Sequence, residues 1–386
     1  MFTFDYNTSN RKIQLRTDDQ DLFDQIREHF SVENEGARFA RYRGRFAARR
    51  KYAITGTGVC EVGLYWEIRQ YLIREQVTVD IEITDKLQKV LKAGKGGWFN
   101  LYKDFTLDLR QYQVDVIKKA LKLGRGTCVL GTGAGKTFTT AALIENYFQI
   151  CADKDTFKCV VLVPDLGLVS QTYDEFLNCG ITFKLTKWTG KTKPDLTANV
   201  IICNIGIVQS RFEQNDWLKH IDLLIVDECH KIKASNKISK IVSRIRTPNK
   251  YGFTGTLPEN NLDKWSIIGK LGPVIYEKTS YELRLEDYLA NVAVKVLNLE
   301  YNTVPRYDTD DNYRGELDFI YESPFRNEFL TKLCGKLDNN TLILVNHIKH
   351  GEVLKEYLDT LTNKQVYFIR GEVEVEKRDK IKKIME

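Results

Sequence analysis

Thr127-Cys-Val-Leu130 reads as a strand, Gly131-Thr-Gly-Ala-Gly-Lys-Thr137 follows it directly, and Thr137-Phe-Thr-Thr-Ala-Ala-Leu-Ile144 reads as a helix. Strand, glycine-rich loop and helix in that order predict one unit of a parallel sheet. Residues with little or no Cβ let a loop wrap closely around a phosphate chain. Its backbone N–H groups and the helix N-terminus then face the anion. The candidate cradle is Thr132, Gly133, Ala134, Gly135, Lys136 and Thr137. Lys136 would neutralise β and γ oxygens, and the Thr137 hydroxyl would ligate magnesium. The general pattern G-x-x-x-x-G-K-T has its first glycine where this chain has Leu130.

Further runs repeat the strand signal: Cys159-Val-Val-Leu-Val163, Val200-Ile-Ile-Cys203, Leu223-Leu-Ile-Val226 and Lys250-Tyr-Gly-Phe253. Strands apolar on both faces belong to a parallel sheet covered by helices on each side. The expectation is therefore an α/β domain over residues 104–301. Residues 1–103 alternate short strands with helices and predict a small α+β domain; Leu22, Ile26 and Phe30 recur at helical spacing within it. A polar stretch around 302–316 reads as a linker. Beyond it, helices near Arg326–Leu337 and Glu352–Leu361 and strands at Thr341–Val345 and Val366–Ile369 predict the start of another α/β unit within 302–386.

The run Leu223–Val226 ends in Asp227-Glu-Cys-His230. At the carboxyl end of a parallel strand, paired carboxylates emerge beside the glycine loop. Asp227 is the candidate magnesium ligand and Glu228 the candidate for polarising an attacking water. His230 is either a satisfied structural histidine or a link that hydrogen-bonds toward Thr254-Gly-Thr256.

Composition narrows the setting. An apolar fraction of 42% and a charged fraction of 28% are ordinary for a globular protein. Apolar runs such as Leu223–Val226 fall far short of the roughly 20 residues a bilayer requires, so no membrane partner is expected. The eight cysteines form no C-x-x-C pair, which argues against zinc and for a reducing, cytoplasmic compartment. A net charge of +6 over 386 residues is dilute, so its placement matters more than its sum.

The glycine loop together with DECH resembles the DEAD/DEAH-box helicases of superfamily 2, over residues 104–386. The resemblance implies a RecA-like motor domain, ATP and magnesium as cofactors, and a second, incomplete RecA-like domain. Leu109-Arg-Gln-Tyr-Gln113 resembles the adenine-reading motif, which puts Gln113 on the base edge and Arg110 nearby. Val163 to Gln171 resembles motif Ia, with Ser170 and Gln171 as helpers on the tracking strand. Ile205-Gly206 stands where motif Ib is expected, Thr254-Gly-Thr256 resembles motif III, and Leu342–Val345 with His347 to Leu358 resembles motif IV. Glu28 to Phe39 and Ile369 to Arg378 resemble, more narrowly, the phage recombination helicases of the UvsW type. That resemblance implies an ATP-dependent helicase or translocase, acting as a monomer on branched or forked double-stranded DNA. The alternatives are an RNA helicase, a restriction-type motor subunit, or an ATP-gated DNA-binding fragment without turnover.

Residues 38–51 carry Arg38, Arg41, Arg43, Arg45, Arg49, Arg50 and Lys51 with no acid among them, and Phe39, Tyr42 and Phe46 are interleaved. Guanidinium groups pair with phosphates and aromatic rings stack on bases, so the segment predicts DNA contact. A solvated basic face with inward-packed aromatics is the alternative. The resemblance also implies a late Q-x-x-G-R-x-x-R segment supplying arginines to the γ-phosphate, and the 386 residues contain none. The expectation is an N-terminal portion that binds nucleotide and DNA but turns over poorly.

Overall fold

The computed structural model describes all residues except 35, 38–47, 95–107, 191–192, 302–311, 372, 374 and 386. Arg38, Arg41, Arg43, Arg45 and most of the expected linker therefore lie outside the described residues. The chain forms two compact units, Met1–Asn291 and Val292–Glu386.

In the first unit, β1 (Phe2–Asn7) and β2 (Lys12–Thr17) form an antiparallel hairpin. The alternation of Phe2 and Phe4, and of Ile13 and Leu15, turns one face of that hairpin into a core. β3 (Ser31–Glu33) pairs with β4 (Arg50–Tyr52) as a separate two-stranded ribbon. β5 (Val59–Cys60) and β6 (Ile81–Ile83) flank the hairpin, giving the sheet order β5-β2-β1-β6. Helix Gln20–His29, capped by Asp19 accepting from the Leu22 amide at 2.9 Å, buries Leu22 and Ile26 against this sheet. Helix Leu64–Arg74 adds Leu64, Tyr65, Ile68 and Leu72.

The second sheet of this unit is entirely parallel and has seven strands. They are β7 (Arg125–Leu130), β8 (Cys159–Val163), β9 (Leu185–Trp188), β10 (Val200–Asn204), β11 (Leu223–Asp227), β12 (Lys250–Thr254) and β13 (Val274–Lys278). Their spatial order is β13-β7-β12-β11-β8-β10-β9. Successive residues go to opposite cores: Leu223 and Ile225 pack on one face, Leu224 and Val226 on the other. Helices cover both faces, which is why the runs read as continuously apolar. This is the RecA-like α/β architecture. Because β12 sits between β7 and β11, the carboxyl ends of three strands lie side by side. Thr254 pairs with Val129 and Asp227 with Phe253, so the ends are level.

Helix Asn261–Leu271 belongs to both cores of this unit. Its Ile267 and Leu271 pack under the parallel sheet, while Trp265 inserts among the N-terminal residues, 5.1 Å from Phe30 ring to ring. The Gly63 amide donates to the Gly269 carbonyl at 2.7 Å, an approach too close for any Cβ at Gly63.

In the second unit, helices span Asn312–Glu322, Pro324–Lys336, Ile348–Leu361 and Val375–Met385. Residues 312–316, read as linker, are thus helical. The runs Thr341–Val345 and Val366–Ile369, expected as strands, form no ladder. A strand exists through its hydrogen-bonded neighbour, and neither run has one among the described residues; Leu342 and Leu344 stay more than 80% exposed.

Candidate nucleotide site

The loop leaving β7 needs two residues with positive φ, and glycine supplies both: Gly133 at 82° and Gly135 at 69°. Gly135 then starts helix Lys136–Ile150, whose first amides converge on the loop. The Ala134 amide returns to the Gly131 carbonyl at 3.1 Å, closing the cradle on itself. From behind, Tyr112 donates to the Ala134 carbonyl at 2.6 Å, and Gln113 Nε2 to the carbonyls of Ala134 and Gly135 at 3.2 and 3.4 Å. Gln113 Oε1 accepts from the Arg110 amide at 2.9 Å. Both ends of the Gln113 amide are therefore engaged, and the residue is buried behind the loop, where it braces the backbone. Arg110 lies nearer the surface, its guanidinium 4.4 Å from the centre of the Tyr288 ring.

Lys136 Nζ donates to the Leu130 carbonyl at 3.3 Å and faces Glu228 Oε1 at 3.8 Å. Thr132 and Gly133 are exposed, and Thr137 is half-buried in the first helical turn. At the end of β11, burial and the neighbouring Glu228 charge raise the Asp227 carboxyl from 3.8 to about 6, against the pull of the Glu228 amide and Lys136. Asp227 Oδ1 accepts from that amide at 2.9 Å. A half-buried carboxylate and a threonine hydroxyl are oxygen donors of the kind that suits a hard divalent cation.

Glu228 has φ 47° and ψ 48°, a left-handed conformation that costs a side-chain-bearing residue energy. The bend turns its carboxylate toward both Lys136 and His230, whose Nδ1 is 3.2 Å from Oε2. The same His230 nitrogen is 2.9 Å from Thr254 Oγ1. Thr254 donates its own hydrogen to the Thr256 carbonyl at 2.8 Å, so toward His230 it can only accept. Two acceptors facing Nδ1 place the ring proton there. A continuous path thus runs from Lys136 through Glu228, His230 and Thr254 to Thr256.

Residues 106–259, which contain the loop and both strand ends, match the family profile of the Type III restriction enzyme res subunit. The ATP-dependent DNA helicase uvsW of Enterobacteria phage T4 is 23% identical over 385 residues, 95% of this chain and 75% of that protein. A crystal structure of T4 UvsW superimposes with a TM-score of 0.58 at 19% identity, covering 99% of this chain and 77% of that one. The chain is UvsW-like. More distantly, the DNA 3'-5' translocase XPB2 of Sulfurisphaera tokodaii is 28% identical over 63% of this chain and 50% of its own length. These similarities extend over the nucleotide loop and the strand ends that carry Asp227 and Thr254.

The basic segment 38–51 is described only from residue 48 onward. Arg49 and Lys51 are exposed on and beside β4, whereas Arg50 pairs with Glu28 at 2.9 Å and donates Nε to Ser31 Oγ at 2.9 Å. Arg50 thus fastens β4 to β3 and to helix Gln20–His29. Ser170 and Gln171 are exposed on helix Leu166–Asn178, with Gln171 Nε2 donating to Glu175 Oε1 at 2.8 Å. Sequence reasoning missed Tyr112 as a loop brace, although it lies inside the quoted Leu109–Gln113. It also missed Tyr288 and Leu289, which return from beyond β13 to the loop; nothing local marks them.

Proposed function

We propose that this chain is the fuel-binding portion of an ATP-driven DNA helicase or translocase that remodels branched DNA, by branch migration, fork regression or dissociation of D-loops and R-loops. The observation carrying this reading is the unbroken path from Lys136 and Glu228 to Thr254 and Thr256 across three adjacent strand ends. Such a path links the phosphate end of a nucleotide to the turn that leads into helix Asn261–Leu271. The working division is residues 1–103 for DNA, 104–301 for nucleotide, and 302–386 for the linker and a second motor-type region. The UvsW-like resemblance supports a monomer in the cytoplasm of a phage host, and no described helix is long and apolar enough to cross a membrane.

In the proposed mechanism, loop amides and Lys136 hold the β and γ phosphates. Thr137 and Asp227 would hold magnesium, which when bound supplies positive charge to the phosphate oxygens. Glu228 orients and polarises the attacking water, with His230 fixing its carboxylate. Arg110 lies at the base side, stacked on Tyr288. Arg49, Lys51, Ser170 and Gln171 are proposed to contact the DNA backbone, together with Arg38, Arg41, Arg43 and Arg45. Contacts of that kind position the strand without reading its sequence.

Because no Q-x-x-G-R-x-x-R segment stands among the 386 residues, these residues alone are proposed to bind ATP and DNA with weak turnover. A restriction-type motor subunit is the second reading, favoured by the res-subunit match over 106–259. Steady-state ATPase on single-stranded, forked and four-way DNA, with RNA controls, tests both. The branched-DNA reading expects stimulation greatest on forks and junctions. Equal stimulation by linear duplex, or preference for RNA, would overturn it.

A further inference from the structure

A cavity of about 210 Å3 lies at the seam between the N-terminal sheet and the motor sheet, at the amino ends of β7 and β12 and away from the nucleotide loop. Arg11 and Lys89 line it from one side and Arg125, Arg246, Lys250 and Lys270 from the other; among the described residues Glu61 is its one lining carboxylate. Some of this charge has a structural explanation. Lys250 Nζ caps the helix Lys237–Arg244 by donating to the carbonyls of Val242 and Ile245 at 2.7 and 2.8 Å. Arg125 Nη2 does the same for Asn261–Leu271 through the Lys270 carbonyl at 2.8 Å. Glu61 answers Lys12 at 3.3 Å and Lys270 at 3.5 Å, and accepts from Ser243 at 3.0 Å.

Those bonds leave a surplus of positive charge. Burial, followed by crowding from Arg125, Arg11 and Lys270, pulls the Lys250 amine down to about 7, although Glu61 opposes the shift. Arg11 Nε is buried with no hydrogen-bond partner. Arg11 also sits at φ 57° in the β1–β2 turn, where glycine or asparagine would be relaxed. A left-handed arginine with an orphaned donor, lining a cavity rich in cations, is costly unless something accepts from it.

We propose that this cavity is a binding site for a phosphate-type oxyanion, held jointly by the N-terminal lobe through Arg11 and Lys89 and by the motor through Lys250 and Lys270. The volume suits a small tetrahedral anion with a few waters, being below the roughly 300–1,000 Å3 of pockets for larger ligands. Free inorganic phosphate and a backbone phosphate of DNA present the same oxygens.

The experiment uses the full chain carrying Lys136→Ala, which weakens the nucleotide loop's own hold on phosphate. Its melting midpoint is measured in inorganic phosphate and in chloride at matched ionic strength. Phosphate should raise the midpoint by several degrees at about a hundred times its dissociation constant. Adding Arg11→Gly should abolish that rise while leaving the chloride midpoint unchanged or higher, because glycine relaxes the turn. Lys89→Ala, remote from the turn, should also diminish the rise. In parallel, an oligonucleotide is titrated at several salt concentrations. Loss of about one phosphate contact from the salt slope on Arg11→Gly, without a free-phosphate effect, assigns the site to DNA. If neither the phosphate shift nor the salt slope responds to Arg11→Gly, the proposal is overturned.

Discussion

His230 Nδ1 stands 2.9 Å from Thr254 Oγ1 and 3.2 Å from Glu228 Oε2, so one imidazole N–H is shared between the carboxylate on β11 and the hydroxyl on β12. Thr254→Val removes one acceptor and the donor to Thr256 while preserving shape. ATP binding should be retained, whereas stimulation of turnover by DNA should fall about tenfold or more; Thr254→Ser should restore it. Burying the unpaired partners should also lower stability by about 1–3 kcal/mol. Equal stimulation in Thr254→Val and the parent, measured on the complete motor, would contradict a coupling role.

Lys136→Ala should weaken nucleotide binding by about ten- to a hundredfold, the value of a charged hydrogen bond to phosphate. Fork-DNA affinity should change little, since Lys136 faces Leu130 and Glu228 within the nucleotide site. Fluorescent-nucleotide titration and DNA anisotropy on one preparation separate the two. Loss of both affinities points instead to misfolding.

The Asp227 carboxyl is raised from 3.8 to about 6, so the folded chain binds that proton more tightly than the unfolded chain. Its contribution to stability is fully present at the acid end and declines as pH rises from about 4 to 6, by on the order of 3 kcal/mol at most. Asp227→Asn should therefore melt higher than the parent at neutral pH without magnesium, and should flatten that part of the profile. Parallel melting curves for the two proteins across the window would refute the raised carboxyl.

Tyr112→Phe removes the 2.6 Å hydrogen bond to the Ala134 carbonyl and leaves the ring in its core. A cost of about 1 kcal/mol and a several-fold loss of nucleotide affinity are expected. Unchanged affinity by calorimetry would mean that Gln113 braces the loop unaided.

Neutralising Arg43, Arg45, Arg49 and Arg50 together should weaken DNA binding and reduce the steepness of log affinity against log salt, by about 0.9 for each lost phosphate contact. Arg50→Ala alone should act mainly through stability, because its guanidinium is engaged by Glu28 and Ser31. An unchanged salt slope in the quadruple variant would remove this segment from the DNA interface.

The parallel sheet was legible because Val160 to Val163 and Leu223 to Val226 are buried on both faces, which leaves an unambiguous apolar run. The loop was legible because close phosphate approach demands small residues in a fixed order. Contacts made across long sequence separations were not. Tyr288 meeting Arg110, and Glu28 meeting Arg50, leave no periodic trace in either segment. Thr341–Val345 shows the converse error: its composition favours a strand, but composition cannot supply the neighbour that makes one. Gln113 resembles a base-reading residue in sequence, and its burial behind Ala134 and Gly135 depends on a helix placement no local pattern encodes.

Trp265 gives helix Asn261–Leu271 a foothold in the N-terminal core only a few residues beyond the Thr254–Thr256 turn. From Trp265 to Leu271 the helix is buried without a break, with side chains committed to two different cores. The N-terminal sheet and the parallel sheet therefore share one structural member, and a substitution at Trp265 should loosen both cores at once.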